Sequence, residues 1–280
     1  MNKNLYFLFG SLISFLISIS LGILTGIDIV KNSIIISFFI HWFLFIPAYI
    51  FKTEKFFDLA GSFTYISIVL YVLISSNDYK EPNIGSIILS FFIIIWAIRL
   101  GTFLYIRIKK AGEDKRFREI KKSFNWFFMT WTFSGMWVSI CSLCAITGIS
   151  NGIKFTETTY IGIIIFIIGF LIEIIADSQK TSFRKKIENR DKFITKGLWR
   201  YSRHPNYLGE IILWIGISLM SYSALEGSQI FTLISPVFTY VLLVYISGIN
   251  FLEQSGEKKW GNQKEYKDYK SRTPRLLWFL

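Results

Sequence analysis

The stretch that decides the fold reads Gly197-Leu198-Trp199-Arg200-Tyr201-Ser202-Arg203-His204-Pro205-Asn206-Tyr207-Leu208-Gly209-Glu210, and it continues into the apolar segment Ile211–Met220. A basic loop becomes a hydrophobic helix here. Pro205 suits the first turn of that helix, where a backbone N–H has no partner. Asn206 and Glu210 are four residues apart and therefore share a helix face. The pattern predicts a carboxylate carried below the membrane surface, where an ionisable residue indicates a functional site.

Long apolar runs make up most of the remaining chain. Of its 280 residues, 52% are hydrophobic, and a membrane-spanning helix needs ~20 apolar residues. Eight runs approach that length: Leu5–Thr25, Ile34–Phe51, Phe57–Ser75, Ile84–Ile106, Phe124–Thr147, Tyr160–Ala176, Pro205–Tyr222 and Ile230–Asn250. We therefore predict an all-α, polytopic membrane bundle of about eight transmembrane helices, forming one domain over residues 1–280.

The net charge of +12 follows the predicted topology. If the amino terminus lies in the cytosol, the cytosolic segments contain every lysine and arginine except Lys31, Lys80, Lys154 and Arg99. Such an imbalance orients a membrane protein with its basic loops inside. We therefore predict that both termini are cytosolic, and we predict no nucleic-acid partner.

The sixth run ends in an acidic face. Glu173 and Asp177 are four residues apart, and Arg184 follows seven residues later, so the three share one side of a helix. An aspartate near mid-bilayer costs ~2.5–3.5 kcal/mol on insertion scales. Two carboxylates at this depth therefore indicate a function rather than chance.

The fourth run carries arginine at a similar level. Arg99 lies two turns inside Arg107, and an arginine at that depth needs an acidic or phosphate partner unless it extends to the interface. Arginine forks suit phosphates, whereas carboxylates and amides suit hydroxyl or carboxamide groups. We predict a cytosolic mouth that binds a nucleotide cofactor and receives an apolar substrate from the bilayer. The alternative is a membrane protein with interfacial charges and a transport role.

Other polar positions are weaker candidates. Asp58 and Tyr65, seven residues apart, are candidates to line a cavity, although Asp58 also suits the first turn of a helix through the dipole. His41, Cys141 and Cys144 are expected to be packed residues, and no metal site is predicted. The aromatic tail 251–280, which includes Trp278, is predicted to fold against the cytosolic side of the bundle.

The 197–210 stretch resembles the C-terminal signature of the steroid 5-alpha-reductase superfamily, especially its bacterial membrane proteins of undefined substrate. Trp96–Leu104, the loop from Ala111 to Phe117, and Ser247-Gly248-Ile249 with Glu253 resemble the same branch, over roughly residues 57–275. The Arg-His-Pro-Asn-Tyr core alone is less specific, because sterol reductases and isoprenylcysteine methyltransferases carry similar versions of it.

The resemblance implies an NADPH-dependent reductase in the bacterial inner membrane, with its cofactor on the cytosolic side. Its expected partners are membrane lipids and a lipophilic substrate, steroid-, isoprenoid- or fatty-like, whose C=C bond is conjugated to a carbonyl. Asn206 and Glu210 would hold the nicotinamide end. Glu173, which stands where the steroid enzymes have asparagine, would line the cofactor together with Asp177 and Arg184. The phosphates would meet Arg200, Arg203, Arg107 and Arg116, and His204, Tyr207, Arg99 and Glu253 complete the predicted set.

The sequence leaves open both the catalytic groups and the kind of activity. Asp58 and Tyr65 are our assignments for the carboxylate and phenol that would polarise the carbonyl. The competing enzyme is an S-adenosylmethionine-dependent methyltransferase of the isoprenylcysteine type, in which neither the acidic face nor phosphate-binding arginines would be needed. A membrane scaffold or lipid carrier is the non-enzymatic alternative, and it would bind neither cofactor.

Overall fold

A computed structural model of the chain describes residues 3–76, 83–189 and 191–277. Lys80 and Trp278, named above, lie outside these residues. The described part is all helical, and its α-helices are α1 (Lys3–Leu24), α2 (Asp28–Ile50), α3 (Phe57–Ser75), α4 (Ile84–Ala111), α5 (Phe117–Ile120), α6 (Phe124–Asn151), α7 (Glu157–Lys185), α8 (Pro205–Tyr222), α9 (Ile234–Val241), α10 (Ile249–Trp260) and α11 (Lys264–Arg272). Short 3-10 turns form at Ile187–Asn189, Gly197–Arg200 and Gly227–Leu233.

Seven segments in the described ranges are long and apolar enough to cross a membrane, and the chain is an integral membrane protein with multiple spans. Six are α1, α2, α3, α4, α6 and α7, and the seventh is the composite Gly227–Trp260. The remaining predicted segment, Pro205–Tyr222, is a helix with the predicted bounds. It does not join the seven, because the polar residues of its first turns lower its hydropathy.

Helix ends differ from the apolar runs where polar residues continue a helix. α7 extends nine residues beyond Ala176 to Lys185, because polar residues such as Gln179 and Lys180 are compatible with a helix outside the lipid. α2 begins at Asp28 rather than Ile34, with the carboxylate in its first turn, where the helix dipole favours it.

The chain divides into two compact units, which consist of residues 1–159 with 221–235, and residues 160–220 with 236–280. In the first unit α6 is the central helix. In its most apolar stretch 83% of the residues are buried, compared with 39% or less in the other membrane-spanning segments. Polar side chains join its neighbours to it. His41 of α2 bonds Ser134 through Nε2 (3.1 Å), and the Ser86 hydroxyl of α4 donates to the carbonyl of Ile149 (3.1 Å). Cys141 and Cys144 are buried, as predicted, and are not joined in a disulfide.

The second unit contains the segment that opened the sequence analysis. α7 and α8 cross there through two pairs of glycines. A Cβ built on Gly162 would lie 2.7 Å from the Gly216 carbonyl oxygen, and one on Gly169 would lie 2.6 Å from that of Gly209. Only residues without a side chain permit backbones this close, as in other tightly crossing membrane helices. The crossing sets the distance between the acidic face of α7 and the polar start of α8.

The apolar run Ile230–Asn250 was predicted to form one helix, but the structure interrupts it. α9 passes into a π-helical turn, Leu242–Ile246, and the helix restarts as α10 after Gly248. Gly248 lies against the ring of Tyr207, since a Cβ there would be 2.9 Å from Cε1 of the tyrosine. Interruptions of this kind are frequent at functional sites.

Candidate functional site

The acidic face of α7 meets the start of α8 at the glycine crossing. A Cβ on Gly209 would lie 2.6 Å from the backbone nitrogen of Glu173. Glu173 is 2% exposed and Asp177 is 6% exposed, so both carboxylates are buried. Glu210, the neighbour of Gly209, is half-buried. The structure thus brings together the acidic residues that the sequence predicted as cofactor contacts on two separate helices.

The loop before α8 is anchored to the last turns of α7. The Nε1 of Trp199 donates to the carbonyl of Ala176 (3.1 Å), and the Leu198 backbone N–H donates to the Gln179 side chain (3.0 Å). Lys180 lies over the indole, with Nζ 4.5 Å from the ring centroid. Gly197 adopts φ +65°, a left-handed conformation that favours glycine, and this turns the chain towards Gln179. Trp199 is therefore buried as a structural anchor of the loop.

Arg203 lies in a network rather than at an open surface. Its Nε and Nη2 donate to the two carboxylate oxygens of Glu253 at 3.0 and 3.1 Å. Its Nη1 donates to the carbonyls of Lys270 (3.1 Å) and Thr273 (2.6 Å), which belong to the C-terminal segment. The sequence placed Arg203 and Glu253 at one level but did not pair them.

Glu253 also orients His204. The Nε2 of His204 lies 2.8 Å from Oε1 of Glu253, so the neutral imidazole carries its proton on Nε2 and donates it to the carboxylate. Burial lowers the pKa of His204 below its usual value, and the hydrogen bond to Glu253 opposes this only in part. Nδ1 is then a hydrogen-bond acceptor.

Two buried acceptors at the start of α8 have no hydrogen-bond partner within the described ranges. They are Nδ1 of His204 and Oδ1 of Asn206. A buried polar atom without a partner costs ~1–3 kcal/mol, so such atoms call for a ligand or water. Any group that satisfies both must supply hydrogen-bond donors.

The C-terminal segment after α10 packs on this loop. The Tyr269 hydroxyl donates to the carbonyl of Trp199 (2.6 Å), and the backbone N–H of Arg203 donates to the carbonyl of Pro274 (2.9 Å). The Arg275 guanidinium donates to the side chain of Asn250 (2.5 Å). Burial raises the pKa of Tyr269 above its usual value. The aromatic tail predicted to be ordered makes these contacts within its own unit.

Three further predicted residues lie on the elements that meet here: Arg184 near the end of α7, Arg200 in the 3-10 turn and Tyr207 in the first turn of α8. Arg184 and Arg200 are exposed, whereas Tyr207 is half-buried, with its ring 6.1 Å from the His204 ring in a T-shaped arrangement. The two exposed arginines flank the anchored loop at the end of α7 and in the 3-10 turn. They remain candidates for a phosphate-bearing ligand.

The other predicted residues belong to the first unit. Asp58, in the first turn of α3, interacts electrostatically with Arg107 and Arg116. Tyr65 is buried two turns further along α3, with its ring 5.2 Å from that of Trp96. The Arg99 guanidinium lies 5.3 Å from the centroid of Phe103. The structure therefore groups Asp58 with two predicted arginines, and the roles of all five remain predictions.

Glu54, in the first unit, was not among the residues predicted from the sequence. It is buried, accepts the backbone N–H of Asp114 (2.9 Å) and pairs with Lys121 at 2.7 Å. It therefore holds the loop after α4 in place. Arg116 pairs with Asp114 in the same loop at 2.6 Å, and the pairing with Arg116 contributes to a lowered pKa of Asp114 despite partial burial. A lone glutamate next to Lys55 gave no signal in the sequence.

The fold and this site define a polytopic membrane protein with a polar, partly unsatisfied centre at the start of a helix. Residues 44–273 match the family described as "Protein of unknown function (DUF1295)", and the chain belongs to that family.

Three curated relatives are similar to parts of the chain. "Probable O-methyltransferase ustE" of Ustilaginoidea virens is 30% identical over 38% of this chain and 45% of its own length. "3-oxo-5-alpha-steroid 4-dehydrogenase 1" of Bos taurus is 32% identical over 39% of this chain and 37% of its own length. "Uncharacterized protein C594.04c" of Schizosaccharomyces pombe (strain 972 / ATCC 24843) is 24% identical over 74% and 68%. The chain thus spans less than half the length of the first two, and no solved structure matches it.

Proposed function

We propose that this protein is a membrane-embedded reductase that uses NADPH to reduce a C=C bond conjugated to a carbonyl in a lipophilic substrate. The observation that carries the proposal is the pair of buried, unpartnered acceptors, Nδ1 of His204 and Oδ1 of Asn206. A carboxamide NH₂ and ribose hydroxyls are donors that suit such acceptors. The similarity to a steroid dehydrogenase and to an O-methyltransferase supports an enzyme of this broad kind.

The residues of the second unit fit such a cofactor by their chemistry. Asn206 and Glu210 would hold its nicotinamide end, where His204 would accept a further hydrogen bond, and Glu173 and Asp177 would accept hydrogen bonds from hydroxyl groups. The exposed guanidinium groups of Arg184 and Arg200 would bind its phosphates, because planar forks pair with phosphate oxygens. NADPH bound in this way would supply a hydride to the substrate.

Residues of the first unit would act on the substrate. Asp58 and Tyr65 are the groups we assign to polarise the carbonyl and to deliver the proton. Arg99, Arg107 and Arg116 are further candidates for phosphate contacts. Glu173 departs from the steroid enzymes by residue type, since it stands where they have asparagine. We assign the cofactor site to the cytosolic side of a bacterial inner membrane, with a substrate that enters from the lipid.

A methyltransferase that uses S-adenosylmethionine is the second candidate, supported by the similarity to an O-methyltransferase. That cofactor has no phosphates and carries a net positive charge. Its single carboxylate could pair with one arginine, but a set of phosphate-binding arginines would not be needed, whereas buried carboxylates would suit its positive charges. The acidic face of α7 therefore suits both cofactors, and the exposed guanidinium groups of Arg184 and Arg200 favour NADPH.

Cofactor binding to the detergent-purified protein tests the proposal. NADPH is expected to raise the melting temperature, because a ligand that binds only the folded state stabilises it. NADH, which lacks the 2′-phosphate, should raise it less. Glu210→Gln should abolish the NADPH shift while the unliganded melting temperature stays within a few degrees. Stabilisation by S-adenosylmethionine with no response to NADPH would reject the reductase in favour of the methyltransferase, and no response to either would favour a scaffold or carrier.

A further inference from the structure

We propose that Arg203 is a positioning residue, which holds Glu253 in place and thereby fixes His204 in its Nε2–H tautomer. The geometry replaces the phosphate contact that the sequence suggested for Arg203. The purpose of this positioning rests on the proposed function, because it presents Nδ1 to the cofactor. The tautomer itself does not depend on that function.

All but one of the five N–H donors of Arg203 are committed within the protein. Four of the bonds described above use its Nε, Nη1 and Nη2 atoms, and the side chain is only 11% exposed. A phosphate that bonds the guanidinium through two parallel N–H groups would have to displace Glu253 or the backbone carbonyls of the tail. An exchange of this kind would leave a carboxylate that is 14% exposed without its bidentate partner, which is strongly unfavourable.

Glu253 is the point at which these contacts meet. Its Oε1 accepts from both Arg203 Nε (3.0 Å) and His204 Nε2 (2.8 Å), and its Oε2 accepts from Arg203 Nη2 (3.1 Å). Lys270 contributes a more distant charge, with Nζ 4.0 Å from Oε2. The bidentate pairing with Arg203 keeps the carboxylate plane fixed, so one oxygen always faces the imidazole.

Only one of the two neutral tautomers suits the imidazole in these surroundings. With the proton on Nε2 it donates to Glu253 and leaves Nδ1 as the acceptor that has no partner in the described part of the chain. With the proton on Nδ1, the Glu253 carboxylate would face a nitrogen lone pair. Loss of Arg203 would release Glu253 and make both tautomers accessible.

Lysine does not reproduce this arrangement. Arg203 bonds a carboxylate through two parallel N–H groups and two tail carbonyls through a third nitrogen, and that requires a planar, five-donor group. The compact ammonium of lysine has three donors and a different reach. Arg203→Lys therefore keeps the charge but loses the geometry, which makes it the informative variant.

Nitrogen NMR of the protein labelled with ¹⁵N-histidine tests the inference without any cofactor. The chain has two histidines, so the signals lost in His204→Gln identify His204. In the wild type above pH 7.5, Nε2 is expected to be protonated and Nδ1 bare. Arg203→Lys and Arg203→Ala should shift the His204 signals towards a mixture of tautomers. Arg272→Ala, an exposed arginine on the neighbouring α11, should leave them unchanged.

Binding then links the position of His204 to the cofactor. The NADPH dissociation constant should rise about tenfold or more in Arg203→Lys, the equivalent of losing one or two hydrogen bonds, and stay within about twofold in Arg272→Ala. If Arg203→Ala does not fold, Arg203→Lys alone decides. An unchanged His204 tautomer in a folded Arg203 variant overturns the inference, even if NADPH binds the wild type. A tautomer that depends on Arg203 supports it, even if the wild type binds no NADPH and the proposed function fails.

Discussion

Gly209 on α8 lies directly against the backbone of Glu173 on α7, at a distance that leaves no room for a methyl group. The contact joins the segment that opened the sequence analysis to the buried acidic face of α7. The glycine is required by the close approach of two helices rather than by a turn. This relationship makes the helix crossing a part of the candidate site.

Substitution of Gly209 by alanine is expected to disturb both fold and site. The added methyl group would lie 2.6 Å from two backbone atoms, so the helices must separate. Overpacking of this kind costs ~1–3 kcal/mol, and a lower melting temperature and weaker NADPH binding should follow. Gly61→Ala is the matched control, because no atom lies within 4 Å of its Cβ and alanine favours a helix. Equal melting temperatures for Gly209→Ala and the wild type would contradict the crossing.

The stability of the protein should fall at mildly acidic pH because of His204. Burial, chiefly, lowers its pKa in the folded protein, whereas in the unfolded chain it is protonated near pH 6.5. The contribution of the neutral imidazole is therefore complete above about pH 6.5 and is lost as the pH falls towards the lower, folded pKa, by at most ~1.4 kcal/mol per pH unit. Charges facing the ring are those of Glu253, Lys180 and Arg203.

Melting temperatures between pH 8 and pH 5 measure this effect. The wild type should lose more stability over that range than His204→Gln, which cannot titrate at this position. Comparison of the two proteins removes the contribution of groups that do not contact His204. If the melting temperatures of the two proteins change with pH by the same amount, His204 has the same pKa in the folded and the unfolded protein.

Loss of the Glu54 carboxylate is expected to destabilise the first unit. Glu54→Ala would leave the backbone N–H of Asp114 and the Nζ of Lys121 without their acceptor. Because Lys121 is partly exposed, we expect a loss of ~2 kcal/mol, below the 3–5 kcal/mol typical of a fully buried pair. Glu119→Ala removes a carboxylate that is 64% exposed and pairs with Lys122 in the same loop, and it should cost less than ~1 kcal/mol. Similar losses in the two variants would argue against an anchoring role for Glu54.

Glu173→Gln should separate cofactor binding from folding. The amide has nearly the same shape as the carboxylate and does not carry a buried charge, so the fold is expected to persist. A cofactor hydroxyl that donates to the carboxylate would lose a charge-assisted bond, and the NADPH dissociation constant should rise about tenfold. Titration of NADPH fluorescence measures it. Unchanged affinity would remove Glu173 from the site.

The predicted orientation can be tested with single cysteines. Cys141 and Cys144 are buried, so a membrane-impermeant maleimide should react little with the wild type. Lys154→Cys, in a loop predicted to lie outside, should be labelled in intact cells. Arg272→Cys, in the predicted cytosolic tail, should be labelled only after the cells are opened. The reverse pattern would invert the topology.

Much of the fold could be predicted from the sequence because it is local. Phe57–Ser75 and Pro205–Tyr222 form helices with the predicted bounds, since long apolar runs have only helical solutions in lipid. The acidic face of α7 was also predictable, because residues four apart on a helix share a side. The interruption at Gly248 was not, since apolar composition alone does not report a π-helical turn.

The sequence by itself determined the class of protein, the positions of most helices and the concentration of polar residues around 197–210. The tertiary structure alone decided which of those polar residues pair. Arg203 bonds Glu253, fifty residues further along the chain, and His204 shares that carboxylate. Apolar run length and helical periodicity are properties of neighbouring residues, whereas the partner of a charge depends on which helices approach closely. In this unit Gly248, just before α10, lies against the ring of Tyr207 on α8, and the glycine pairs of α7 and α8 let those two helices meet without side chains between them.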